Sequence, residues 1–312
     1  MPKRKTKKQK HMELLAMLLV IVGLAAIIVA VVLSLEPDDG KKPSDSDQTS
    51  TTSTVATTVT TTTKPDKWAQ AKQLPYYIPA YEERYAILQM SNPEVALEEI
   101  ILRVNMQLDH AFYTDTAAIQ NPDSLLVLCN KYYYLSSSYV PDDLVSVAAK
   151  NTRNGAKLRK EANDAFAKLC ADAAKEGIEI RITTAYRGYS FQKTLYDRYV
   201  KNDGKAAADT YSARPGYSEH QTGLAMDLGG KTPSGTWDLS YFDGTDAYHW
   251  MQKHAADYGF ILRFPKDKVA ITGYQYEPWH YRYVGVDVAR VIWDEDLCLE
   301  EYWAKYRTSE TN

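Results

Sequence analysis

Three side chains in the last third of the chain, His220, Asp227 and His280, offer two imidazoles and one carboxylate. These are the ligand types a catalytic Zn²⁺ takes when three positions come from protein and the fourth is left to water. Glu277 stands three residues before the last of them, where a carboxylate can take a proton from the activated water and later deliver it to a leaving amine. Arg187 adds a fixed cation whose planar fork suits a carboxylate or an oxyanion. Together these types support hydrolysis of a peptide bond beside a free chain end. Neither spacing is diagnostic alone, since His and Asp seven apart, or Glu-x-x-His, recur by chance.

The flanking sequence predicts the elements that must position these groups. His220 precedes a turn at Gly223, and Asp227 falls in the strand after it, so a metal is expected between the mouth of the turn and the strand face. Pro278 disfavours helical backbone at Glu277, which separates the direction of its carboxylate from that of His280. Residues 178–183 alternate strictly between apolar and polar, predicting a half-buried strand just before Arg187. Upstream, Leu158, Ala162, Ala165, Phe166, Leu169 and Ala173 predict a helix over 151–176 that Gly177 ends. Ser91-Asn92-Pro93-Glu94 reads as a capped helix start, with Val95, Ile100, Ile101 and Val104 as its apolar face. Further helices are expected over 190–200 and 246–258, and strands over 224–228, near Phe260 and over 279–284. Helices and short strands mix without regular alternation. This predicts an α+β fold in which a small antiparallel sheet carries the zinc site and helices flank it, rather than a doubly wound parallel sheet.

Composition organises the remainder. The first ten residues hold six Lys/Arg, and residues 14–35 form an unbroken run of uncharged, mostly apolar residues, long enough to span a bilayer as one transmembrane anchor. A cleavable signal peptide is the rival, but the run is long for one and ends without a small-x-small site. The basic flank then predicts a cytoplasmic tail over 1–13, with everything beyond the anchor outside the cell membrane. Residues 36–66 are acidic and then Ser/Thr-rich, the composition of a disordered linker. A helical N-terminal extension is expected over 67–125 and the zinc domain over 126–306. Beyond the tail, 31 basic and 39 acidic residues carry a formal charge of −8, which excludes a nucleic-acid partner. Cys129, Cys170 and Cys298 are odd in number and lack CxxC spacing, so neither a thiolate zinc site nor a disulfide framework is indicated.

The motifs also carry a resemblance. Asn130-Lys131 with Pro141-Asp142-Asp143-Leu144, Tyr186-Arg187 with Gln192, Ser212-Ala213-Arg214-Pro215-Gly216 running into Ser218-Glu219-His220-Gln221-Thr222-Gly223, Tyr258-Gly259-Phe260, and Glu277-Pro278-Trp279-His280-Tyr281-Arg282-Tyr283 are found together. Over residues 130–302 the chain resembles the VanY-like zinc D-alanyl-D-alanine carboxypeptidases. That resemblance implies one zinc ion held by His220, Asp227 and His280, Glu277 as catalytic base, and Arg187 assisting substrate or transition-state binding. Gln192 and Ser218 are candidate substrate contacts. The expected substrate is the terminal D-alanine of peptidoglycan stem peptides. Gly188, and Thr184-Ala185 before Tyr186, depart from the family's usual residues and leave the fine substrate preference open.

Four other readings stand beside this one. An L,D-carboxypeptidase acting on tetrapeptide stems, or an endopeptidase, would use the same site. A non-catalytic cell-wall-binding module would use the fold as a platform, although it has no need of an open metal position beside a base. Ser190-Phe191-Gln192-Lys193 matches the S-x-x-K of serine peptidases but lacks K-T-G and S-D-N partners. His11, His110, His249 and His254 are read as surface or hydrogen-bonded histidines.

Overall fold

The computed structural model describes residues 67–153, 155–307 and 312. The expected tail, transmembrane anchor and linker lie outside these residues. Among the described residues, no helix is long and apolar enough to cross a membrane.

The centre is a five-stranded antiparallel sheet. Its strands are β1 (Arg181–Thr184), β2 (Ala225–Lys231), β3 (Trp237–Asp238), β4 (Phe260–Leu262) and β5 (His280–Tyr283), in the order β1-β2-β5-β4 with β3 paired to β2. The expectation of a small antiparallel sheet among helices is met. Strand alternation sorts the two faces. Ile182, Met226, Leu228, Tyr281 and Tyr283 are buried with Phe166, Leu169 and Ala173 of the Lys160–Lys175 helix in the main core. Truncating a residue such as Phe166 there costs about 3–5 kcal/mol. The intervening residues Asp227, His280 and Arg282 belong to the opposite face, and all three are buried.

Two helix boundaries differ from the sequence reading. The helix expected over 151–176 begins only at Lys160, because Lys157–Arg159 pairs antiparallel with Leu144–Ser146 and has already committed its backbone groups to a ladder. Ser91-Asn92-Pro93 ends a helix rather than starting one. Glu82–Ser91 is helical, and Asn92 closes it by donating from its side chain to the Leu88 carbonyl at 2.9 Å and from its backbone to Gln89. The next helix opens at Leu97 and buries Ile100, Ile101 and Val104, the face the pattern predicted. Elsewhere the expected helices appear as Tyr189–Asp203 and Asp246–His254, the latter continued by a 3-10 turn over Ala255–Tyr258.

In the N-terminal extension, helices run only as far as Asn105, and residues 106–125 are irregular apart from Ala117–Ala118. Asn105 donates to the Ala304 carbonyl at 3.1 Å, tying the extension to the C-terminal helix Leu299–Tyr306. Cys129, Cys170 and Cys298 are free and buried.

Candidate metal centre and catalytic cleft

The short 3-10 turn Glu219–Thr222 presents His220, and Gly223 ends it in the left-handed region at φ 69°. A Cβ at Gly223 would stand 2.8 Å from Leu144 Cδ2, so both conformation and space call for glycine there. The chain then enters β2, where Asp227 lies directly opposite His280 of β5. Sheet register therefore sets one donor against another, and the turn supplies the third.

The three donors converge. One ligand atom from each of His220, Asp227 and His280 lies within 4.8 Å of the others. His220 Nε2 is 3.3 Å from Asp227 Oδ2, and His280 Nδ1 is 3.0 Å from Asp227 Oδ1. A tetrahedral ion with bonds near 2.0–2.1 Å holds its ligand atoms roughly 3.3 Å apart, so the two contacts to Asp227 match zinc and the widest separation, within 4.8 Å, would close around the ion. The remaining ring nitrogens are aimed at acceptors, as ligand orientation requires. His220 Nδ1 is 2.7 Å from the Ala185 carbonyl, and His280 Nε2 faces Glu219 Oε2 at 3.6 Å. Burial, seconded by the Arg187 guanidinium, lowers His220 to about 4, keeping it in the neutral form that ligates. Burial alone would lower His280 too, but Asp227 and Glu219 reverse the sign and raise it to about 9. A proton and a metal therefore compete for that ring.

All seven residues selected from the sequence line one cavity of about 310 Å³. Glu277 Oε2 lies 3.7 Å from His280 Nδ1, beside the donor cluster. Burial raises its carboxyl to about 7; the Asp227 charge adds to this, and His280 and Arg187 oppose it. Arg187 makes no ion pair within 4.0 Å among the described residues, and its Nε is buried without a hydrogen-bond partner. Gln192 donates to the Ala213 carbonyl at 2.7 Å, leaving Oε1 unpartnered. Ser218 makes no side-chain capping bond to the turn it precedes, so local capping does not account for it. Ser190 and Lys193 are exposed, and Lys193 pairs with Asp197. His110, His249 and His254 lie outside the cavity lining.

Two features escaped the sequence reading. Directly behind the metal donors, Arg263 forms a bidentate pair with Glu300 at 2.7 and 2.8 Å and bonds Glu219 Oε1 at 2.8 Å, while Arg282 reaches the same oxygen at 3.0 Å. All four side chains are buried. Burial alone would raise Glu219, but Arg263 and Arg282 hold it far below the ordinary carboxylate range. Arg282 had a local signal, sharing a strand face with His280 two residues away. Arg263 and Glu300 had none. The second feature is Lys131, whose Nζ donates to the carbonyls of Asp209 at 2.5 Å and Gly273 at 2.7 Å and lies 4.2 Å from the Tyr274 ring centroid. It joins the loop before Ser212 to the loop that leads to Glu277. Burial lowers its ammonium to about 8.

Comparison with known proteins places the chain among carboxypeptidases. Residues 155–286 match the family model described as VanY: D-alanyl-D-alanine carboxypeptidase. The chain is 44% identical over 194 residues to the putative carboxypeptidase YodJ of Bacillus subtilis, covering 61% of this chain and 70% of that protein. It is 33% identical over 186 residues to a D-alanyl-D-alanine carboxypeptidase of Enterococcus faecalis, covering 57% of this chain and 65% of that one. Among solved structures, the LD-carboxypeptidase LdcB is 42% identical with a TM-score of 0.57, covering 62% of this chain and 91% of that chain. By the match to that family model and the likeness to YodJ over most of its length, the chain belongs to the VanY-like family of D-alanyl-D-alanine carboxypeptidases, which are zinc-dependent peptide hydrolases.

Proposed function

We propose that the chain removes the C-terminal D-alanine from peptidoglycan stem peptides. The observation that carries this reading is Arg187, a guanidinium with no ion-pair partner among the described residues, in the cavity that also holds Glu277 and the metal donors. A free chain terminus brings the carboxylate that such a group recognises.

His220, Asp227 and His280 would hold the zinc ion, which would supply a Lewis acid and lower the pKa of a water molecule. Glu277 accepts the water proton at its carboxylate, which burial has made basic enough to hold it near neutral pH, and returns it to the departing amine nitrogen. Arg187 holds the terminal carboxylate or the oxyanion that forms on attack. Gln192 Oε1 and the Ser218 hydroxyl, both in the cavity lining, would contact the substrate backbone. Phe264, which tilts against the His280 ring at 4.9 Å, and Trp279 wall the cavity and exclude water.

The family description supports a D,D bond, as in pentapeptide stems. The L,D bond of a tetrapeptide stem is favoured by the likeness to LdcB. Incubating the full chain in detergent with each peptide and reading products by mass distinguishes them, and failure to release alanine from either overturns the proposal. A chelator should abolish release and added zinc restore it. Wall binding undiminished by chelator, without release, would instead favour the non-catalytic module.

We also propose single-pass membrane anchoring through residues 14–35, with the catalytic part outside the cell. The apolar run and its basic flank support it. Protease treatment of intact protoplasts should degrade the catalytic part; protection of that part would count against this topology.

A further inference from the structure

Tyr276, the residue before Glu277, lines the catalytic cavity and also a second cavity of about 500 Å³. No other residue is shared by the two linings, so the second cavity adjoins the first through one aromatic ring. Met251, Phe260 and Ile292, all buried, give the second cavity an apolar lining. The same lining carries an array of polar tips. Tyr248 and Tyr276 join their hydroxyls at 3.0 Å, and Gln252 donates to the Tyr281 hydroxyl at 3.0 Å. Trp293 belongs to this wall yet is 57% exposed, an indole that intramolecular packing leaves open.

We infer that this second cavity is a subsite for the glycan strand of peptidoglycan, taking an N-acetylated amino sugar next to the stem peptide under attack. The inference rests on the reading of the catalytic cavity as the stem-peptide site. A stem peptide is joined to a sugar at its other end, so a substrate cut from polymer brings glycan close to the cleft. A pyranose ring presents apolar C–H groups on its faces and hydroxyls around its edge, and its acetamido group adds a methyl. Such a ligand matches a cavity that combines an apolar lining, an exposed indole and phenol and amide tips. Charge separates this occupant from a second stem peptide. The cavity carries Asp267 and Asp296 against one lysine, Lys266. That balance disfavours the carboxylates of a free stem, while an amide-linked sugar is neutral.

The test compares Trp293→Ala with the unsubstituted full chain in detergent, on free stem peptide and on the same peptide attached to its disaccharide. The expected result is a KM about tenfold higher on the disaccharide-linked substrate, the scale of losing one well-placed aromatic contact, with kinetics on free peptide unchanged. Equal changes on both substrates, or none on either, overturn the inference. Calorimetric titration with neutral N-acetylglucosamine oligomers is the second measurement. Binding that weakens about tenfold in Trp293→Ala supports the subsite. Absence of glycan binding, or binding of a second stem peptide in its place, overturns it. If the unsubstituted chain hydrolyses neither substrate, the catalytic reading fails, and the calorimetry still decides the glycan site.

Discussion

Two clusters of buried charge lie side by side in this molecule and share Glu219, yet they are completed to different degrees. In the first, Arg263 and Arg282 have carboxylate or carbonyl partners at every nitrogen, and Glu300 answers with both oxygens. In the second, two imidazoles and a carboxylate crowd together, Glu277 rests at 3.7 Å, and Arg187 keeps a buried Nε without a partner. Both occupy low-dielectric surroundings, where an unmet polar group is costly. Every guanidinium nitrogen of the first, saturated cluster is engaged, so its charges are spent on one another and it serves to hold position. The unsaturated one keeps donors and acceptors in reserve, which is what a metal and a substrate require. Glu219 belongs to both: Oε1 is bound by the two guanidiniums, and Oε2 faces His280 Nε2.

The sharpest way to test that division is Glu277→Gln. Hydrolysis should fall by about 10²–10⁴-fold while metal analysis still finds one zinc per chain, because Glu277 is not among the donors. Loss of zinc in that variant would erase the distinction. Glu219→Gln strikes the shared residue. With Arg263 and Arg282 left buried against a neutral amide, unfolding by urea should show a loss of about 3–5 kcal/mol. An unchanged midpoint would mean the saturated cluster holds nothing.

Acid should reach the same carboxylate without mutation. Its pKa in the folded chain lies below the ordinary value of 4.5, so its contribution is full above about pH 4.5 and is lost as pH falls further. Thermal melts at pH 6 and pH 3 should differ for the unsubstituted chain, and Glu219→Gln should flatten that difference. The smallest effect is expected from Lys131→Met, which removes two hydrogen bonds between loops and should cost about 1–3 kcal/mol. Its kcat should drop more than its KM rises, since the loop it steadies leads to the proposed base.

Much of the unsaturated cluster could be read from residue order. His220 and Asp227 flank one glycine turn, and Glu277 and His280 lie on one short segment, so local spacing and motif text reached all of them. The saturated cluster resisted because its bonds join residues 44 and 37 apart, and neither Arg263 nor Glu300 falls within a motif. Elements followed the same rule. Ile100, Ile101 and Val104 announced their buried face through spacing, whereas Lys157–Arg159 continued a helical apolar pattern and was claimed as a strand by Leu144–Ser146. A pairing partner far along the chain overrode the local period. Asn92-Pro93 carried capping chemistry that fits either end of a helix, and only the preceding turn decided which.

The pairing of Asp227 with His280 has a bearing on how the chain tolerates change. Neighbouring residues of a strand point to opposite sides, so sliding β2 past β5 by one position would carry Asp227 into the greasy interior and leave the imidazoles without their carboxylate. Ion capture is thus a report on strand alignment. A single residue inserted within either strand would disarm the site.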